Sequence, residues 1–345
     1  MGAVASTFRI LLKVVAALVQ RWWRRLWHGP AVPGWSWSVE LRAVAMRAFV
    51  AAAATDPEPE ARRQLESRFD PPLPRRLRRV IGVEESSLAG LTVEWHRPRR
   101  GGIRLHSKAT ILYLHGGAYV SGSAATHRRW VANLTWGTGT TSVVPNYRLA
   151  PQHRFPAALD DAVAVYRELL KAGVEAEQLF VSGDSAGGGL AAALLLRLRD
   201  DGVALPAGGI LFSPYTDLEH TAASIQENAA TDYLPLGAIR VNTEYLGDHD
   251  PRDPYASPLY GDFSGLPPLL VFAGGREMIR DDSTRLVAAA ARDGIEVDLE
   301  IAPDMYHVWT ALLPNHPETM RAIACAAEFI AANTAEAGYR RDEVS

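Results

Sequence analysis

The chain has 345 residues, a formal net charge of -3, and 48% hydrophobic against 22% charged residues. That is enough apolar material to bury a large core, and nothing in the charge recommends nucleic acid as a partner. A single cysteine, Cys325, excludes an intramolecular disulfide.

The first apolar stretch, Phe8 to Val19, is too short to span a bilayer and is broken by Arg9 and Lys13. Lys13 also interrupts the apolar region a secretory signal would need, so a cytoplasmic location is expected. On a helical wheel Phe8, Leu11, Leu12, Val15, Val19, Trp22, Trp23 and Leu26 share one face, with Arg9, Lys13, Gln20 and Arg24 opposite. Such a helix either covers the protein's own pocket or makes a peripheral membrane contact through residues 8–27. Residues 1–75 read as an N-terminal helical cap region, closed by the breakers Asp70-Pro71-Pro72-Leu73-Pro74.

From residue 76 to 335 the pattern is that of one catalytic α/β domain, followed by a tail at 336–345. Apolar β-rich runs occur at Val80–Val83, Leu91–Trp95, Thr110–Leu114, Thr141–Val144, Leu179–Val181, Gly209–Phe212, Leu269–Phe272 and Val297–Ile301. Helical patterns at Ala157–Lys171, Gly188–Arg199, Asp282–Arg292 and Pro317–Asn333 separate the later runs. This alternation predicts a mostly parallel sheet with helices on both faces. The early strands lack intervening helices and are expected to be antiparallel at one edge. A segment at about 214–260 shows no strand signal and reads as a cap insertion. Cys325 lies in the last apolar helix pattern, where a buried, inert thiol is expected.

Chemistry concentrates in Leu179-Phe180-Val181-Ser182-Gly183-Asp184-Ser185-Ala186-Gly187-Gly188. A strand breaks into G-x-S-x-G and opens into an Ala/Leu-rich helix, the setting a nucleophile elbow requires. A serine hydroxyl needs a base to remove its proton, and that base is a histidine oriented by a carboxylate. Four histidines follow Ser185: His220, His249, His307 and His316. Only His307 follows a late strand through a short loop, at the end of the sheet where ligands bind. The acid should follow the preceding strand, where Glu277, Asp281 and Asp282 compete. Asp281 and Asp282 open a helix, so N-capping accounts for at least one of them. Glu277 is therefore the first candidate and Asp281 the reserve.

Acyl transfer also needs donors aimed at the developing oxyanion, each worth roughly 3–4 kcal/mol. The strand-to-turn segment Leu112-Tyr113-Leu114-His115-Gly116-Gly117-Ala118-Tyr119 precedes the elbow and offers the amides of Gly116 and Gly117, with that of Ala186 as third donor. Tyr119, Asp184, Tyr215 and Trp309 are the candidate pocket residues, with Trp22, Trp23, Trp35 and Trp37 as cap-borne aromatics.

His115 to Ser123, the segment Asn146-Tyr147-Arg148-Leu149-Ala150-Pro151, and Gly183 to Gly188 together resemble the oxyanion, D-Y-R-L-A-P-E and nucleophile motifs of the hormone-sensitive-lipase family of α/β-hydrolases. The likeness covers about residues 80–335. It implies the α/β-hydrolase fold, a cap built partly from N-terminal helices, and carboxylesterase activity without cofactor or metal. The chain departs from that pattern at Ala118, where a third glycine is usual, at Asn146, and at Glu277, where most members carry aspartate. Short to medium-chain esters are the expected substrates, with lactones as a further class and homodimers left open. The alternative is a catalytically silent small-ligand-binding protein on the same scaffold, a reading that the intact Ser185 and His307 disfavour.

Overall fold

A computed structural model describes residues 2–53, 72–99, 108–237 and 242–334, and within them eight strands join one sheet. The chain begins with helices α1 (Gly2–His28) and α2 (Trp37–Ala53). A short helix α3 (Arg75–Val80) runs straight into β1 (Ile81–Leu88), which turns back as β2 (Leu91–Pro98). Strand and helix then alternate through β3 (Thr110–Leu114), α4 (Ala124–Thr138), β4 (Thr141–Pro145) and α5 (Ala157–Lys171). Next come β5 (Leu179–Asp184), α6 (Ala186–Asp200) and β6 (Gly208–Phe212). A long connection carries α7 (Ser224–Glu227) and α8 (Asn242–Leu246) to β7 (Leu269–Gly274). The described chain ends with α9 (Arg280–Arg292), β8 (Val297–Ala302), α10 (Trp309–Leu312) and α11 (Pro317–Asn333).

Strand order is β1-β2-β4-β3-β5-β6-β7-β8. The β1–β2 and β2–β4 pairs are antiparallel, and every later pair is parallel. Parallel strands buried on both faces should be apolar throughout, and β3, β5, β6 and β7 are buried at every position. Alternation divides them between two cores. Leu112, Leu114, Val181 and Leu211 pack with α5, α6 and α9, while Ile111, Tyr113, Phe180 and Phe212 pack with α4 and α11. Each such side chain contributes about 1.5–3 kcal/mol by leaving water. Val39 and Ala43 of α2, with Trp35 before it, join the second core and tie the N-terminal helices to the sheet.

Three sequence expectations need correction. Strands β3 and β4 are parallel and joined by α4, a helix absent from the sequence reading. Its buried positions mix Trp130, Val131 and Leu134 with Asn133, Thr135 and Thr138, so no clean apolar period appears. Its start was marked, however, by a capping box between Ser123 and Thr126. Val80 belongs to α3, and the first strand begins one residue later. Cys325 is only partly buried rather than enclosed.

Candidate active site

Ser185 stands at the junction of β5 and α6 with φ 53° and ψ -123°, a conformation costing on the order of 1–3 kcal/mol. Its backbone is clamped: the amide donates to Phe212 O, and its carbonyl accepts from Tyr215 N and Gly189 N. Small neighbours permit the turn. A Cβ on Gly187 would lie 2.0 Å from Leu114 O, which no relaxation of so buried a backbone would absorb.

His307 Nε2 lies 2.9 Å from Ser185 Oγ, and His307 Nδ1 lies 3.3 Å from Glu277 Oε2. Glu277 is fully buried, and its second oxygen accepts from Ser213 Oγ at 2.6 Å and from the Gly274 amide. Burial works against an imidazolium at His307. The hydrogen bond and charge of Glu277, with the charges of Asp232 and Asp184, outweigh it and raise the ring above the ordinary value of 6.5.

The structure brings Glu277, not Asp281, to the imidazole. Asp281 turns away, accepting Ser224 N at 3.0 Å and pairing with Arg280. Asp282 accepts the amides of Thr216 and Asp217 at 2.8 and 2.9 Å. Neither is the N-cap of α9 as the sequence suggested, since that position is Ile279. Both instead hold the β6–β7 connection. The remaining late histidines are engaged elsewhere: His220 with Tyr215 Oη, His249 against Phe155, and His316 at the start of α11.

Two residues absent from the sequence reading support the triad geometry. Ser213 donates to Glu277 and accepts the Val308 amide at 3.1 Å. Asp232 accepts the amides of Met278 at 2.7 Å and His307 at 3.3 Å, linking the residue after Glu277 to His307 itself. Burial pushes its carboxyl up to about 6. Ser213 immediately follows a strand, and its φ of 47° is exceptional for a non-glycine residue, but no sequence pattern announces that conformation. Asp232 sits within a segment lacking any periodic signal.

The loop after β3 needs a correction. The Gly116 amide donates to Asp184 Oδ1 at 3.0 Å and sits 3.3 Å from His127 Nε2, so it does not point a free donor at substrate. Asp184 Oδ1 also accepts from Tyr113 Oη at 2.7 Å. Burial opposes the charge on Asp184, yet His127 and Tyr113 hold its carboxyl below the usual range. Asp184 is thus a buried buttress rather than a pocket wall. His115 stacks on Tyr147, whose hydroxyl donates to His115 O at 2.6 Å, and burial drives the His115 imidazole down to about 3. The amides of Gly117, Ala118 and Ala186 remain as candidates to face a reacting oxygen.

Tyr119 lies flat on Tyr245, with ring centroids 3.8 Å apart. Its hydroxyl and the Tyr215 carbonyl both approach Gly189, one turn along α6 from Ser185. Trp309 packs into the second core and lines a crevice against α11 with Arg321 and Cys325, so it does not belong to the pocket. Trp35 is buried and donates to Asp304 O, whereas Trp22, Trp23 and Trp37 are exposed.

Residues 111–311 match the alpha/beta hydrolase fold family. An acetyl-hydrolase of Streptomyces hygroscopicus is 42% identical over 247 residues, covering 71% of this chain and 81% of that one. An esterase of Acinetobacter venetianus is 38% identical, covering 66% and 77%. Among solved structures, an esterase of the bacterial hormone-sensitive lipase family superposes with a TM-score of 0.76 at 37% identity, covering 85% of this chain and 98% of that one. The chain belongs to the hormone-sensitive-lipase family of α/β-hydrolases. It is a carboxylic-ester hydrolase of that family, as its esterase and acetyl-hydrolase relatives support. Another solved relative, EstE5, was soaked with p-nitrophenyl butyrate and superposes with a TM-score of 0.76 at 38% identity, covering 85% and 98%.

Proposed function

We propose that this carboxylic-ester hydrolase cleaves small esters through an acyl-enzyme on Ser185. The observation that carries the reading is the 2.9 Å approach of His307 Nε2 to Ser185 Oγ, with Glu277 behind the ring. His307 takes the hydroxyl proton as Ser185 Oγ bonds to the carbonyl carbon. Glu277 holds the ring and supports the imidazolium. The amides of Gly117, Ala118 and Ala186 bind the oxyanion. As the tetrahedral intermediate collapses, the alkoxide departs with the proton from His307. Water then gives a proton to His307 as it attacks the acyl carbon, and His307 returns that proton to Ser185 Oγ as the second tetrahedral intermediate collapses and the acid is released.

Ser185 is partly accessible, and the Tyr119 hydroxyl, on a ring stacked against Tyr245, approaches Gly189 one turn along α6. The acetyl-hydrolase relative supports a small acyl group. Short to medium acyl chains are therefore the proposed substrates. Steady-state kinetics on p-nitrophenyl esters of graded chain length test the reading, with Ser185→Ala alongside. Ser185→Ala is expected to lose about 10^5-fold or more in kcat and to resist fluorophosphonate labelling. Undiminished cleavage by that variant overturns the mechanism, and faster turnover of emulsified long-chain triglyceride than of a butyrate ester overturns the substrate class.

A further inference from the structure

We infer that α1 docks this protein on the surface of an anionic lipid bilayer, with its apolar face turned into the headgroup region. The rotation of α1 about its axis is fixed by polar contacts on the opposite side. Arg21 and Arg25 both pair with the buried carboxylate of Glu40 from α2, and Glu40 also accepts the Ala31 amide at 2.9 Å. Ile10 and Val14 pack toward Phe49 and Ala52 on the same side. This seam leaves the apolar face of the wheel in solvent. Leu12, Val15, Val19, Trp23, Leu26 and Trp27 are each more than half exposed, Trp27 by 77%. A continuous apolar stripe of this kind marks an interaction surface rather than ordinary surface scatter.

Charge selects the occupant. The helix carries Arg9, Lys13, Arg21, Arg24 and Arg25 and no acidic residue, within a chain whose net charge is -3. Lys13 and Arg24 are exposed on the side away from the apolar stripe and leave the helix with a positive charge that an anionic surface attracts. Tryptophans suit the boundary, where an apolar ring and a polar N–H are both satisfied. A second copy of α1 would instead bring two wholly basic helices together. The helix does not cross the bilayer, since no described helix is long and apolar enough. It lies in the plane of the surface.

The docked helix is coupled to the catalytic end of the sheet. Arg47 of α2 donates to Ala229 O and Asp232 O at 2.8 and 2.7 Å, and Trp35 donates to Asp304 O, three residues before His307.

Flotation of the full chain with phosphatidylcholine vesicles, with and without about 30% phosphatidylglycerol, tests this inference. Binding to the anionic vesicles is expected to exceed that to neutral vesicles by about tenfold and to weaken in high salt. The double variant Trp23→Glu/Trp27→Glu should lose about tenfold or more of that binding, while kcat/KM for a soluble butyrate ester stays within about twofold, which also reports that the variant folds. Equal flotation of wild type and variant overturns the inference. So does a wild-type dimer in light scattering that the same substitutions dissolve, which would assign the face to a second copy.

Discussion

The Ser213 hydroxyl donates to Glu277 Oε1 at 2.6 Å, so the acid that orients His307 is itself oriented by a residue at the end of the neighbouring strand. The same oxygen accepts the Val308 amide, which fixes the chain immediately after the base. Hydrogen bonds to a charged group contribute about 1.5–3 kcal/mol. Ser213→Ala should therefore lower kcat by about 10- to 100-fold and leave KM nearly unchanged. Stopped-flow or steady-state rates on a butyrate ester read that split; a KM effect alone would mean Ser213 acts on substrate binding instead.

Glu277 and Asp281 are separated by their partners. Glu277→Gln keeps the shape but removes the charge that stabilises the imidazolium, and a loss of about 10^3- to 10^4-fold in kcat is expected. Asp281→Ala releases Ser224 and Arg280, so its expected effect is a lower Tm with kcat within about threefold of wild type. Measuring both variants by thermal scanning and kinetics checks the assignment. A collapse in kcat for Asp281→Ala at unchanged Tm would reverse it.

In the proposed mechanism His307 acts as a neutral base, and its surroundings raise the imidazole above 6.5. The acidic limb of kcat/KM should therefore inflect above that value, with activity rising as pH increases through it. Asp232 contributes to this elevation. Replacing it with asparagine removes a negative charge from the vicinity of the imidazolium and lowers the base's pKa. The acidic limb of Asp232→Asn should accordingly move toward lower pH. A purely structural role would reduce rate without moving the limb, so the pH profile separates the two.

Much of this site is written locally. The elbow around Ser185 combines a strand of buried residues, small turn residues and an Ala/Leu helix in ten consecutive positions, and His307 follows from topology once Ser185 is placed. Strands β3, β5, β6 and β7 were legible because buried parallel strands are short apolar runs between turns. Helix α4 was not, since its packing face is interrupted by Asn133 and Thr135. Ser213 and Asp232 were hidden for another reason: each acts through a contact between segments distant in sequence. The engagement of Gly116 by Asp184 is of the same kind, as two adjacent motifs each looked complete alone. The orientation of α1 was equally unreadable, because the wheel ranks hydrophobicity and Arg21 and Arg25 docked on Glu40 against that ranking.

The contact between Asp184 and Gly116 gives a prediction that separates a buttress from a pocket wall. Asp184 Oδ1 receives Tyr113 Oη and the Gly116 amide, with His127 Nε2 at 3.3 Å. Asp184→Ala leaves those buried donors without an acceptor, at about 1–3 kcal/mol for each, and frees the loop that carries Gly117 and Ala118. Tm should drop by several degrees or more, and kcat should fall for all esters alike. Asp184→Asn retains an oxygen acceptor and loses only the charge facing His127, so it should recover most of the Tm. Gly116→Ala attacks the same contact from the other side, since its Cβ would lie 2.3 Å from Asp184 Oδ2, and should resemble Asp184→Ala in both readouts. Because the carboxylate points into the loop's own framework, chain-length preference should be the same in wild type and Asp184→Asn. A changed preference across the ester series, at wild-type Tm, would put Asp184 back in the substrate pocket.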